Sequence, residues 1–432
     1  MFTRTVAPQV FHATMPLLCA TRQDALVPNT ATRPRSVDSY RATIAALVTD
    51  LPIERLPVAD CLGLVLAEDV TAPIALPPFD NSAMDGYAVR SVDVVGASED
   101  NPVELPVSED IPAGRTDVVP LLPGTAHRIM TGAPVPPGAD TVVQVELTDS
   151  GVDKVRIFTP VALGTHLRRT GEDVREGSTV MTAGTVLRPA QLGFLAALGL
   201  PHLPVRRRPR VLILSTGTEL VEPGRPLAAG QIYESNSVHI AAAVEEIGGV
   251  AHVLRSVPDD VEALYKTLEP HLHDHDLLIT TGGVSAGAYE VVKDALAGEG
   301  VEFLKVAVQP GGPQGFGSYM GLPVVTLPGN PVSAALSFEL FVRPALLRAM
   351  GRPDVDRKRV TAKASAAMTS PAGKKQYRRG YHEAGSVQAV PVGGPGSHLL
   401  MAFAQANCLI EIPEDVTEVP EGGDVRLIML VP

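Results

Sequence analysis

Four carboxylates stand in stretches otherwise rich in glycine and hydroxyl residues: Asp85, Glu172, Glu219 and Glu290. Oxygen donors of this kind suit an octahedral Mg²⁺ held against a phosphate, provided the loops that carry them converge. Asp85 lies in Phe79-Asp80-Asn81-Ser82-Ala83-Met84-Asp85-Gly86-Tyr87-Ala88-Val89, which packs carboxylates, an amide, a hydroxyl and a phenol around a small-residue turn. That is poor material for a core and reads either as an Asx-rich turn or as a loop offering carboxylates to a cation or to substrate N–H groups. Arg128-Ile129-Met130-Thr131-Gly132-Ala133-Pro134 adds a hydroxyl beside a glycine, and Arg168-Arg169-Thr170-Gly171-Glu172-Asp173 adds both signs of charge. The arginine pair is either a phosphate clamp or a solvated strand face.

Three further loops suit anions. Ser215-Thr216-Gly217-Thr218-Glu219 follows the apolar run Val211 to Leu214, and Thr280-Thr281-Gly282-Gly283-Val284-Ser285 follows Leu277 to Ile279. Pro328-Gly329-Asn330-Pro331-Val332-Ser333 follows Val324 to Leu327, with Asn330 where an N-cap belongs and Pro331 at the first helical position. Free N–H groups at such a helix start face the strand end and favour an anion. In an open parallel sheet, loops after strand C-termini converge on one crevice, so the three belong to one candidate site. His271, His273 and His275 also cluster, just before the run at Leu277. Their alternation reads as a polar loop or helix end rather than a metal centre.

The elements that must position these residues follow from periodicity. Strand-like runs near 211, 250, 277, 303 and 323 alternate with helical segments near 236, 260, 290 and 332, which predicts a doubly wound parallel sheet over residues 206–352. Short alternating runs separated by Pro and Gly turns make 72–157 an inserted, mostly β domain. Residues 36–71 and 158–205 form a helical and mixed linking domain, with Ser36 capping a helix through Tyr40, Ile44 and Val48 and a second helix from Pro189 to Leu198. Residues 353–432 close the chain as a small β domain, and 1–35 read as a mobile extension. The fold class is α/β plus β, in several domains.

At 432 residues and 45% hydrophobic content, the chain is long enough for several cores. A formal charge of −12 and the absence of Trp argue against nucleic-acid and membrane-surface partners while still allowing an anionic small ligand. Cys19, Cys61 and Cys408 are widely separated, which supports neither a disulfide framework nor a zinc site and fits a reducing compartment. No run approaches the roughly 18 apolar residues of a membrane span.

Taken in order, Phe79 to Arg90, Arg128 to Pro134, Gly171-Glu172-Asp173, Ser215-Thr216-Gly217, Gly282-Gly283-Val284-Ser285, Pro310-Gly311 and Pro328-Gly329-Asn330-Pro331 resemble the molybdopterin molybdenumtransferases, the family that includes the gephyrin E domain. The glycine loops alone also resemble the smaller molybdopterin adenylyltransferases. The resemblance implies an elongated, four-domain cytoplasmic homodimer whose active site lies between the α/β domain of one subunit and the inserted domain of the other. It implies insertion of molybdate into adenylylated molybdopterin, with Mg²⁺ and release of AMP, and possible contact with a molybdopterin adenylyltransferase.

On that pattern Asp85, Thr131, Glu172 and Lys305 fall on catalytic positions. Ser215, Gly217, Thr218, Gly282, Gly283, Ser285, Pro328, Gly329, Asn330, Pro331, Ser333, Arg379 and Ser397 fall on substrate positions, and Asp85, Glu219 and Glu290 on metal positions. Three departures stand out. Thr218 replaces an acid, Glu290 stands where Asp is usual, and Gly312 replaces a lysine for which Lys305 and Lys293 are possible substitutes. These departures motivate the alternative of a paralogue that binds molybdopterin or its nucleotide without efficient turnover; a gephyrin-like scaffold is a weaker reading.

Overall fold

The computed structural model describes residues 34–257, 260–284 and 291–431. Ser285, Glu290 and most of the expected N-terminal extension lie outside them. A six-stranded sheet forms the centre of the molecule, ordered Val250–Val257, Arg210–Thr216, Leu277–Thr281, Leu322–Leu327, Pro313–Tyr319 and Val301–Lys305. The first four strands are parallel. Side chains alternate across this sheet. Val211, Ile213 and Ile279 pack with Ile240 and Val244 of helix Asn236–Glu246 and with Phe338 and Phe341. Leu212, Leu214 and Leu278 face the other way, onto Leu264 and Leu268 of helix Val261–Leu268 and onto Val292 and Leu296 of Val291–Leu296. Burial on both faces is why these strands read as nearly continuous apolar runs.

The expected doubly wound parallel sheet is present, with one strand added that the sequence pattern did not show. Pro313–Tyr319 is antiparallel to both neighbours. Its Pro start and its two glycines give it little β signal, but Met320 and Gly321 both take positive φ, 48° and 90°, which suits a tight hairpin into Leu322–Leu327. Gly315 is needed there, because a Cβ would lie 2.3 Å from the Thr326 hydroxyl.

Helix Val37–Leu47 begins as expected, with Ser36 Oγ accepting from the Ser39 amide. Grouped by sequence with residues 53–71, it instead docks on the α/β core. Tyr40 and Ile44 are fully buried, and the Tyr40 ring meets Phe341 edge-on at 4.8 Å. The linking domain pairs Ile53–Pro57 with His202–Arg206, and helix Pro189–Ala197 packs beside them through Leu195. The inserted domain is a five-stranded sheet of Gly86–Val89, Val103–Ile111, Ala126–Ile129, Thr141–Gln144 and Lys154–Ile157. At the C-terminus a sheet closes on itself, because Lys375–Tyr381 pairs both with Gln388–Pro391 and with Cys408–Ile412. Cys61 and Cys408 are buried free thiols, and burial pushes Cys408 up to about 12. Among the described residues no helix is long and apolar enough to cross a membrane.

Candidate functional site

The parallel strands end at the crevice where strand order reverses, between Arg210–Thr216 and Leu277–Thr281. All three glycine loops meet there, around a cavity of about 1160 Å³. Thr216, Gly217, Thr218 and Glu219 line one wall, Gly282 and Gly283 the floor, and Pro328, Gly329, Asn330, Pro331 and Ser333 a second wall. The loops touch through backbone. The Gly282 amide donates to Leu327 O at 3.1 Å. Gly282 has φ 88°, and a Cβ on it would lie 3.2 Å from Thr216 O, so glycine is what lets the first two loops approach.

Asn330 occupies the N-cap position, yet its side chain makes no cap hydrogen bond. The first-turn amides after Pro331 are therefore not closed off by that side chain, and Pro331 and Ser333 face the cavity. Helical structure continues from here through a π turn at Phe338–Val342 to Ala349.

Sequence reasoning missed a second tier of residues. Ile232, Tyr233, Glu234, Ser235 and Asn236 line the cavity on the approach to helix Asn236–Glu246. Glu234 accepts from Ser215 Oγ at 3.0 Å, from the Ser237 amide at 2.8 Å and from the Ser237 hydroxyl. Ser215 Oγ also lies 2.7 Å from Thr281 Oγ1. Ser215 thus stands behind the crevice and joins two strand ends to a helix start. Asn236 Nδ2 donates to Gly329 O at 2.7 Å, tying that helix start to the third loop. The Glu-Ser-Asn-Ser run was the available signal, a polar helix start at the position expected for a helix.

The closing β domain contributes Pro395, Gly396 and Ser397 to the rim, and the edge of the α/β domain contributes Gln309, Pro310 and Gly311. Arg379 is not on the lining. It is 1% exposed and donates to Gly394 O behind that rim, while its Nε and Nη1 find no hydrogen-bond partner among the described residues. Burial, then the neighbouring Arg378, holds its pKa below the usual arginine value. Lys305 is also off the lining, exposed at the end of the edge strand Val301–Lys305. No Lys or Arg occurs among the described lining residues, and their carboxylates are Glu219 and Glu234.

The remaining candidates gather elsewhere. Asp85 Oδ1 accepts from the Thr131 amide at 2.7 Å and from its hydroxyl at 2.9 Å. These two bonds, the amide first, hold the Asp85 carboxyl below its ordinary value. Asp80 repeats the arrangement, accepting from the Thr170 amide and hydroxyl, both at 2.8 Å, and from Arg169 at 2.7 Å. The Thr170 amide, then Arg169, leads the depression of its pKa. Glu172 accepts from the Arg169 amide at 2.9 Å. Pairing of Leu167–Arg168 with Asn81–Ser82, together with the Gly132 amide on Ser82 O, knits these stretches into one patch. Asp85, Thr131 and Glu172 are exposed, and no described residue of 72–157 lines the cavity.

Family models match nearly the whole chain: the MoeA N-terminal region (domain I and II) over residues 35–199, a probable molybdopterin binding domain over 212–348 and the MoeA C-terminal region (domain IV) over 361–430. A curated relative from Mycobacterium tuberculosis, molybdopterin molybdenumtransferase 2, is 53% identical over 402 residues, covering 91% of this chain and 99% of the relative. The molybdopterin molybdenumtransferase of Haemophilus influenzae is 35% identical, covering 87% and 93%. Among solved structures, a molybdopterin biosynthesis MoeA protein from Pyrococcus horikoshii superposes with a TM-score of 0.78 at 32% identity, covering 93% of this chain and all of that one.

Proposed function

Because this chain belongs to the molybdopterin molybdenumtransferase family, we propose that it inserts molybdenum from molybdate into adenylylated molybdopterin with release of AMP, the last step in assembly of the molybdenum cofactor. The observation that carries this reading is the crevice itself. Three glycine loops and an uncapped helix start converge on a cavity large enough for a pterin nucleotide and lined by backbone rather than by bulky side chains.

Each group then has a task. First-turn amides after Pro331 and the Ser333 hydroxyl bind phosphate or oxyanion, and Gly282 and Gly283 let the backbone approach it. Glu234 and Asn236 orient the loops. Ser397 closes the rim, with Arg379 supporting the loop behind it. Mg²⁺ fits the donor set, since Glu219 presents a carboxylate to a cavity whose described lining holds no cation. When bound, it would neutralise the pyrophosphate and make AMP a better leaving group.

The Asp85, Thr131 and Glu172 patch enters through a second subunit. Its acids are exposed and none of them lines the described crevice, which itself has an open face; this supports a homodimer with shared sites. Lys305, exposed at the end of its strand, would supply a cation to the substrate's oxyanions. Contact with a molybdopterin adenylyltransferase belongs to the same reading, because direct transfer would spare the adenylylated pterin from solvent.

The test is AMP release from adenylylated molybdopterin by the purified protein, with and without millimolar Mg²⁺ and molybdate. Release that needs both ions supports the transferase reading and shows that Thr218 and Gly312 are tolerated. Tight binding with no release would sink it.

A further inference from the structure

At the opposite end of the same sheet, three imidazoles converge. His252, His271 and His275 each offer a ring nitrogen, and these atoms lie within 4.8 Å of one another. They come from separate elements. His252 is on the edge strand Val250–Val257, His271 ends the turn Glu269–His271, and His275 precedes Leu277–Thr281. Of the histidines that alternate in sequence, His273 is left out and His252 takes its place across the sheet.

The arrangement has the features of a nitrogen-ligand site. His275 Nδ1 lies 2.9 Å from the His271 carbonyl, so Nδ1 carries the proton and Nε2 presents its lone pair to the cluster. A backbone carbonyl that fixes the tautomer in this way is the usual support of a ligating histidine. His275 Nε2 lies 3.2 Å from His252 Nδ1. Two nitrogens at about 2.0–2.1 Å from a tetrahedral zinc stand about 3.3 Å apart, so this pair already has the needed separation. His271 packs edge-on against His252, with ring centroids 4.7 Å apart, and a rotation of its ring brings the third nitrogen in.

The neighbouring carboxylate does not compete. Both oxygens of Asp276 bind Arg207 at 2.6 Å, and one also accepts from the Arg210 amide. Three imidazoles without a hard oxygen donor select a transition-metal cation over Mg²⁺.

We propose that His252, His271 and His275 form a binding site for a divalent transition cation of the zinc type, with a fourth position open to water. Its place makes it structural rather than catalytic. His252 pairs in register with Leu212, whereas Thr216 at the crevice pairs with Val257, so the cluster lies about 13 Å back along the strands. A cation there clips the edge strand to the turn that precedes the central strand.

Calorimetric titration of the full-length protein with zinc sulfate, in millimolar Mg²⁺ to saturate hard-cation sites, reads this directly. One Zn²⁺ per chain is expected, with affinity falling by about tenfold or more in His252→Ala and in His275→Ala and unchanged in His202→Ala, which alters an exposed histidine elsewhere. Zinc should raise the thermal midpoint of the wild-type chain but not that of His252→Ala. Cobalt(II) bound to the wild-type protein should show the intense visible bands of a four-coordinate site, a readout independent of whether the variants fold. Affinities within about twofold of wild type in both variants, no saturable binding, or a pale six-coordinate cobalt spectrum would overturn the proposal.

Discussion

The crevice and the acidic patch of the inserted domain are built on opposite plans. Backbone makes the crevice, through loops contributed largely by one domain and drawn together by strands whose order is set by topology. Side chains make the patch, through stretches as far apart as Asp80 and Thr170, with Asp85 and Asp80 each clasped by a threonine amide and hydroxyl and Glu172 held by the Arg169 amide. Backbone sites depend on φ and on the absence of a Cβ, and tolerate many side chains. The patch depends on particular carboxylates, and none of its described residues lines the crevice. Thr218 departs from the family pattern on the wall of a crevice whose three described glycine loops still converge.

Breaking the backbone plan should have the largest effect. Gly282→Val places a β-branched residue at φ 88° with its Cβ about 3.2 Å from Thr216 O. Binding of adenylylated molybdopterin, measured by calorimetry, should fall by about 100-fold, with a stability loss of about 1–3 kcal/mol in chemical denaturation.

Breaking the side-chain plan should separate binding from turnover. Asp85→Asn is expected to lower kcat for AMP release by about 10²-fold while leaving pterin binding close to wild type. Mixing subunits sharpens the comparison. In a dimer with shared sites, co-refolded Gly282→Val and Asp85→Asn chains should regain about a quarter of wild-type activity, whereas two self-contained sites would give none.

Ser215→Ala tests the tier behind the crevice. Loss of its bonds to Glu234 and Thr281 should cost about 1 kcal/mol of stability and weaken binding by less than tenfold. A loss as large as that of Gly282→Val would make Ser215 a direct substrate contact.

The smallest expected effect is the titration of Asp85. Its folded pKa is depressed by the Thr131 amide and then by the Thr131 hydroxyl. The clasp therefore contributes fully above the unfolded carboxyl value of about 3.9 and is lost as pH falls through the lower folded midpoint. Carboxyl-detected NMR should place that midpoint below the ordinary aspartate range. Thr131→Val should raise it only part of the way, since the amide remains.

Much of the crevice was legible in the chain, because its parts are local. Apolar runs, the glycines that follow them and the Asn330-Pro331 helix start each announce themselves within a few residues. Other parts had no local mark. The strand Pro313–Tyr319 was hidden by its Pro and glycines, and its place follows from a hairpin turn and the fit of Gly315 against Thr326. Arg379 carries a charge that suggests a surface or a ligand, yet the rim loop buries it.

Sequence alone determined the alternation of strand and helix, the glycine loops at the strand ends and the family to which the pattern points. These depend on period and on backbone conformation, both of which are written in neighbouring residues. Tertiary structure alone decided that Asp85 and Thr131 meet each other and not the crevice, that Ser215 points behind it, and that His252 rather than His273 joins His271 and His275. Those outcomes turn on sheet order, register and the face each side chain takes, which arise only when segments far apart in the chain pack against one another.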